Sequence, residues 1–456
     1  MQKTNYSKMI ETPVKQLIPR LAVPTIISML TTSIYNMADT FFVSKINTSA
    51  TGAVGVLFSA MAMIQAIGFM LGMGSGNYIS RSLGTQKIDE AEKAASTAFF
   101  TALGIGVIIL IFGSCFTSKI VTVLGATPTI LPYAIDYARY IFFAAPFMIS
   151  AFVLNNILRS QGNAIYAMVG ITTGGILNMI LDPILIFKFN MGISGAAIAT
   201  MVSQIISAVI LFTQCMIREN CLKIKPKKFT PTAKIYGTIL HAGLPSLCRQ
   251  GLAAVATTIL NVAAGPYGDA AIAAMSICSR FMMFVNSALI GFGQGFQPVC
   301  GFNFGAGRYD RVLEAFWFCV KVAVVLLTTL GIISIIFSNQ IIVSFQKDDA
   351  EVIKIGLLAL RLQLCTLPIQ AWIIMVNMLT QSIGYGFRAS IVAMGRQGLF
   401  FIPAVLILPK FMDILGIQLS QPISDVFTFI LSLVIVIPIL KELKDKNIVM
   451  QRELNN

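Results

Sequence analysis

Charge is scarce in this 456-residue chain, where Asp, Glu, Lys and Arg together make up 11% of the residues. A soluble globule carries roughly 25%, so water alone cannot be its solvent. Histidine is scarcer still: His241 is the one example, which excludes zinc clusters and His-based catalytic triads by inventory. Cysteine occurs at Cys115, Cys215, Cys221, Cys248, Cys278, Cys300, Cys319 and Cys365, never with CxxC spacing. Most of these fall inside apolar runs and read as small packing residues, giving neither a disulfide framework nor a metal site. Neither HExxH nor GxSxG occurs, so a membrane-embedded enzyme has no motif to rest on. The first sixteen residues are polar and run into a long apolar segment without a small-residue cleavage pattern, so no cleavable signal peptide is expected.

What is abundant is apolar sequence, at 56% of residues with a mean hydropathy of +0.81. Stretches of about 20 apolar residues suffice to cross a bilayer. Twelve such spans are expected, over 16–43, 51–80, 91–113, 131–157, 163–187 and 193–215, then 236–264, 270–300, 312–336, 351–379, 386–409 and 422–440. The fold class that follows is an all-α integral membrane protein.

The two sets of six repeat each other. Adding 221 carries Pro24 to Pro245, Ala50 to Ala271, Gly72 to Gly293, Gly74 to Gly295, Gly84 to Gly305, Asp89 to Asp310 and Asn156 to Asn377. The matches fall on residues that constrain the backbone, as an internal duplication held by packing leaves them. Two six-span lobes are expected at 1–215 and 236–456, joined by a basic linker at 216–235 that contains Pro226 and Pro231. An even number of spans per half makes the repeats parallel, related by an axis along the membrane normal. The fifth pair is least regular, because Pro403 and Pro409 replace the run around Asp182 and Pro183.

The net charge of +14 invites a nucleic-acid reading, but its placement argues for topology. Lys and Arg gather in the amino-terminal segment, after the second span, in the central linker, at Arg308 and Arg311, and in the tail. These are alternate loops. The opposite ones hold little: Lys45, Lys119, Lys188, Lys347 and Lys410. By the positive-inside rule both termini are expected in the cytoplasm of a multi-pass cell-membrane protein, and no nucleic-acid partner is expected.

A charge inside a bilayer costs about 2.5 kcal/mol upward, so each one needs a reason. Asp39 lies in YNMADTFF and Asp182 in LNMILDP, both about 9 Å of helix below the outer end of an outward-running span. Asn178 is one turn deeper than Asp182 on the same face. Tyr137 and Thr200 begin inward-running spans and share that depth. Five polar groups at one level can line a small cavity; each acid can equally be a helix-end residue near the headgroups. Leu260 stands at the Asp39 position of the second copy, so the lobes differ in task. The second lobe holds Arg249, Arg280 and Arg361. Snorkelling or carbonyl pairing explains such arginines, as does pairing with an anionic substrate group or a fixed counter-charge. GMGSG at 72–76 and GFGQG at 291–295 follow no strand and read as close helix packing. Pro24 and Pro245 permit a bend in the first span of each lobe. Met275, Met282 and Met283 fit either a soft binding surface or core filling.

These residues resemble the multidrug and toxic compound extrusion (MATE) transporters. The likeness rests on the two six-span repeats, Pro24 with Asp39, ISRSLG at 79–84, NNILRSQGN at 155–163, LNMILDP at 177–183 and GISGAAIAT at 192–200. It implies a V-shaped pair of six-helix lobes that alternate between outward-open and inward-open forms. It also implies export of drugs or metabolites, commonly organic cations, in exchange for protons or sodium. The acids are similar to those of the DinF-like branch, which would place cation coupling at Asp39, Asn178 and Asp182, surrounded by Tyr35, Tyr137, Asn155 and Thr200, with Pro24 as hinge. Asn155 lies near the inner end of its span by count. The NorM-like branch uses acids in spans seven and ten. Here the seventh has none after His241, and the tenth has Arg361 and Gln363.

The expectation is a monomeric secondary transporter without cofactor or metal, exchanging a small organic, cationic substrate for protons or sodium. A flippase for a lipid-linked precursor and an exporter of one metabolite share the same apolar, Arg-containing character. A channel would need no acid pair hidden in one lobe.

Overall fold

The computed structural model describes residues 2–346 and 349–455, so Lys347 lies outside the described residues. Among these no residue is in a strand. The first six spans are Val14–Ser44, Thr48–Gly84, Ile88–Cys115, Leu131–Ser160, Ala164–Lys188 and Gly192–Ile217. The second six are Ala233–Tyr267, Asp269–Gly305, Tyr309–Ile336, a broken tenth, Gly386–Ile407 and Pro409–Met450. The tenth is Ala350–Cys365 followed by Leu367–Ser382, which meet at 50°. Pro368 removes a backbone donor just past that break. Spans two and eight are 37 residues each, about 55 Å of helix, and so project well beyond a 30 Å hydrocarbon core.

Twelve crossings put both chain ends on one face, called here the tail face. The linker lies on it: Ile217 ends the sixth span, Pro226–Lys228 makes one 3-10 turn, and Ala233 opens the seventh span. Leu222 N donates to Gln161 Oε1 at 2.7 Å and Lys225 N to Ser96 Oγ at 3.1 Å. Lys228 bonds Asp89, whose carboxylate holds the ammonium above its usual value. The linker is therefore docked on the first lobe.

One apolar core fills the first lobe and takes in Ile239, and the other fills the second lobe and takes in Leu17, Leu21 and Met29 of span one; the repeat appears in how the lobes meet. A Cβ at Gly74 would lie 2.1 Å from the Ile239 carbonyl oxygen and 3.1 Å from Gly243 N. A Cβ at Gly295 would lie 2.4 Å from Ala22 Cα. Gly74 and Gly295 are counterparts, as are Ala22 and Gly243, so the second span of each lobe packs on the first span of the other in the same way. Gly72 and Gly293 turn inward instead, toward the fourth span and toward Leu367–Ser382. The packing reading of both glycine motifs follows directly from these approaches.

All these approaches lie toward the tail face. Of the hydrogen bonds between lobes, the one farthest from it joins Ser33 to Ser287 at 2.6 Å. Beyond it Met37 and Phe41 on span one, and Met283 and Phe284 on span eight, are exposed. The lobes thus form a V, closed at the tail face and open at the opposite one.

One detail of the repeat needs correction. Asn155 Nδ2 donates to Ala167 O at 3.0 Å, and Asn377 Nδ2 donates to Ala389 O at 2.7 Å. The counterpart of Asn377 is therefore Asn155, at an offset of 222, and the match to Asn156 is accidental. Surface helices Thr117–Val123 and Ser338–Phe345 still start 221 apart, so one residue is gained in the connection after them. The offset is 221 again at spans six and twelve. There a Cβ at Gly195 would lie 2.8 Å from Leu185 C, and one at Gly416 would lie 2.4 Å from Leu408 C.

Candidate functional site

Asp39 is carried by span one beyond Thr25, Ser28 and Thr32, each of whose hydroxyls bonds a carbonyl one turn back. Those bonds let polar side chains sit in an apolar helix without orphaned hydroxyls. Asp182 stands where span five widens: Pro183 offers no donor, and the chain continues as a π-helical turn over Ile184–Lys188. Both carboxylates are buried.

Around them the first lobe assembles five spans. Tyr137 Oη donates to Asp39 Oδ2 at 3.3 Å and also reaches Met61 Sδ at 3.9 Å. Asn178 Nδ2 donates to Asp182 Oδ1 at 3.4 Å and to Thr200 Oγ1 at 3.2 Å. Tyr137 lies within electrostatic reach of both acids, and its hydroxyl also meets Thr200. Tyr35 is buried one turn below Asp39 and bonds Gln204 of span six. Six of the seven residues expected at the site are thus brought together.

The unmet groups define its chemistry. Asp39 Oδ1, Asp182 Oδ2 and Asn178 Oδ1 are buried without a hydrogen-bond partner. All three are acceptors, and no Lys or Arg among the described residues lies within 4 Å of either acid. Oxygens from two carboxylates, an amide, a hydroxyl and a phenol suit a hard cation or a proton. No group of three or more His, Cys, Asp or Glu side chains poised for a metal occurs among the described residues.

Asn155 is the exception and is corrected here. It sits 18 residues beyond Tyr137 on span four, about 27 Å of helix away, and its amide is committed to the first turn of span five. Pro24 is buried in an unbroken span one, with Ser28 Oγ bonding its carbonyl at 3.0 Å.

The three arginines separate. Arg280 is exposed, on the stripe of span eight that carries Ser287, Gly291 and Gly295 toward span one, and so lines the open cleft. Arg249 lies at the cleft floor, bonding Asn377 Oδ1 at 3.4 Å and reaching Met73 Sδ at 3.8 Å. Arg361 Nε bonds Ser338 Oγ at 2.9 Å, which ties span ten to a surface helix and keeps this arginine out of the cleft.

Two polar groups escape a reading of the sequence. Arg159 is buried in the first lobe, bonding Asn156 and, across the lobe boundary, Gln294. Asp425 of span twelve is fully buried and pairs with Arg396 Nε at 2.9 Å. It also accepts from Thr366 at 2.9 Å, Gln370 at 2.8 Å and Gln421 at 3.0 Å. Acids are therefore not confined to the first lobe, nor arginines to the second.

Known proteins agree with this architecture. The MatE family profile matches the chain twice, over residues 24–184 and 245–406. Multidrug export protein MepA of Staphylococcus aureus (strain MSSA476) is 25% identical over 429 residues, covering 93% of this chain and 94% of that protein. A crystal structure of MATE in complex with MaL6 superposes with a TM-score of 0.91 at 25% identity, covering 96% of this chain and 99% of that one. The outward-facing conformation of a multidrug resistance MATE family transporter of the MOP superfamily gives 0.90 at 25% identity, over 96% and 98% of the two chains. With twelve spans in two duplicated lobes and both copies matched, the chain belongs to the MatE family of multi-pass membrane transporters, relatives of multidrug exporters.

Proposed function

We propose that this transporter exports small organic compounds in exchange for entering protons, with sodium as the alternative ion, and that Asp39 and Asp182 carry the ion. The observation that carries this reading is the pair of buried carboxylates, each with one unpartnered oxygen and no cationic partner within 4 Å among the described residues. Such a pair is costly to hold charged in a dry lobe, so binding a proton or Na⁺ stabilises it and losing one destabilises it.

Alternation follows from the V. Ion binding rearranges the hydrogen bonds among Asp39, Tyr137, Asn178 and Asp182, and span one, hinging at Pro24, transmits this to its contacts with span eight. Substrate in the cleft and ion in the first lobe then favour opposite forms. By reciprocity each weakens the other. The two moving bodies are residues 1–215 and 236–456, with 216–235 between them, as in the DinF-like branch. The basic tail-face loops orient that face to the cytoplasm of the cell membrane, and the transporter works as a monomer.

Organic cations are the substrates typical of such exporters. Arg249 and Arg280, facing the cleft, favour a second reading in which one anionic or zwitterionic metabolite is exported. A dye panel of both charges in proteoliposomes, with pH and sodium gradients imposed separately, decides the substrate and the ion together. Full gradient-driven transport by an Asp39→Asn protein would overturn the coupling assignment.

A further inference from the structure

The Arg396–Asp425 pair is the second lobe's version of a first-lobe contact, and the exchange of residues between the copies is informative. A Cβ at Gly174 would lie 2.8 Å from Ser207 Cβ, and one at Gly395 would lie 3.2 Å from Thr428 Cγ2. Gly174 and Gly395 are 221 apart, as are Ser207 and Thr428, so the extra residue counted at Ala167 and Ala389 is given back before Gly395. At that offset Thr200 answers to Gln421, Gln204 to Asp425, and Gly175 to Arg396.

In the first lobe the bare Gly175 leaves room for Tyr35, whose ring carbon would be 3.1 Å from a Cβ there. Tyr35 passes over it to Gln204. In the second lobe Ala256 stands at the Tyr35 position, and Arg396 reaches from the Gly175 position to Asp425. Asp39 and Tyr137 answer to Leu260 and Ala359. The second lobe has thus lost the acid at the cluster's level. It carries one a turn deeper, with a cation supplied by the protein itself.

The two centres also differ in saturation. Both oxygens of Asp425 are bonded, Oδ1 by Arg396 and Gln421 and Oδ2 by Thr366 and Gln370. In the first lobe each acid keeps an orphan oxygen. Thr366 is the residue at the 50° break of span ten, so the saturated carboxylate also clamps that break. A π-helical turn over Gly395–Leu399 supports Arg396, and Ser424 Oγ bonds its carbonyl at 2.7 Å.

Resting on the coupling role read above for Asp39 and Asp182, we propose that Arg396 is a tethered cation that closes the second lobe's polar centre to exchangeable ions. The first lobe is then the only coupled half. Arg396 is the one charged side chain within 4 Å of Asp425 among the described residues. On the elements packed around it, Arg361 is held by Ser338, Cys365 is exposed, Arg249 is held by Asn377, and Lys321 of span nine is exposed.

The test is pH-difference infrared spectroscopy on the full-length protein in nanodiscs, which counts titrating carboxyl groups without relying on transport. In the Asp39→Asn/Asp182→Asn background no titrating buried carboxyl should remain. Adding Arg396→Gln should create one carboxyl band, and adding Asp425→Asn to that should remove it, while Arg396→Lys should stay silent. Two outcomes overturn the inference. One is a residual buried band in the Asp39→Asn/Asp182→Asn protein that Asp425→Asn/Arg396→Gln abolishes. The other is an Arg396→Gln protein with no band beyond that of the double substitution. The residual band of the first outcome is read with Arg396 in place. If the wild-type protein shows no titrating band that Asp39→Asn/Asp182→Asn removes, proton coupling in the first lobe has failed instead, and the two failures are distinct.

Discussion

Gly84 and Gly305 hold the same place in the two copies, and they touch: a Cβ at Gly84 would lie 3.0 Å from Gly305 Cα and 2.2 Å from the Phe302 carbonyl oxygen. Residues that meet their own counterparts sit on the axis relating the lobes, so the tail-face closure is centred here. Gly84→Ala must push backbone against backbone, which costs about 1–3 kcal/mol and acts only while the V is closed at this face. Thermal unfolding in detergent should show the loss. Gly55→Ala, at a position with nothing within 4 Å, should leave the transition in place. Equal melting of the two proteins would mean that the lobes do not rest on this contact.

Tyr137→Phe removes the phenol that donates to Asp39 Oδ2. A hydrogen bond to a charged group contributes roughly 1.5 kcal/mol or more, so proton-driven efflux in proteoliposomes should fall about tenfold. Asp39→Asn supplies the zero reference, and unchanged thermal stability excludes misfolding. An efflux rate equal to wild type would remove Tyr137 from the coupling cluster.

The contrast between what the sequence displays and what it conceals has physical causes. Asp39 and Asp182 are legible because a carboxylate inside an apolar run stands out, and counting residues from the nearest loop gives its depth. That same count places Asn155 far from them, and its amide serves the Ala167 carbonyl instead. Asp425 is hidden because QPISDVF looks like the polar lead-in to a span beginning at 422, whereas the helix that carries it starts well before, just past the kink at Asp413. Arg159 is hidden for a similar reason, since span four continues past 157 to Ser160. The break at Thr366 falls inside a single span-length stretch, where Pro368 is its sign in the sequence and the count of apolar residues is not.

Cys221 reports on the linker. It is buried against the first lobe, where Asn163 Nδ2 approaches its Sγ at 3.3 Å, and burial pushes the thiol above its usual value. Less thiolate at neutral pH and little access both slow alkylation. A polar maleimide should label Cys221 at least roughly tenfold more slowly in the folded protein than in the SDS-denatured one, and the folded rate should climb as pH rises. Gln161→Ala, which removes the acceptor of Leu222 N, should speed labelling. Identical rates in folded and denatured protein would mean the linker is not docked.

Asp425 and Arg396 should behave as one unit when either is removed. In Asp425→Asn, Arg396 keeps its charge in a site only 13% exposed, and one of the two oxygens that accept from Thr366, Gln370 and Gln421 is replaced by an amide donor. Breaking a buried pair on one side costs about 3–5 kcal/mol, whereas replacing both partners by apolar groups of similar volume is close to neutral. Asp425→Asn alone should therefore lower the thermal stability of the detergent-solubilised protein more than Asp425→Leu/Arg396→Met does, despite the larger chemical change in the double substitution. The order matters more than the size, because it separates an isolated hydrogen bond from a charge that needs its partner. If the double substitution is the less stable of the two, the centre is held by its polar network as a whole and the ion pair is not its organising element.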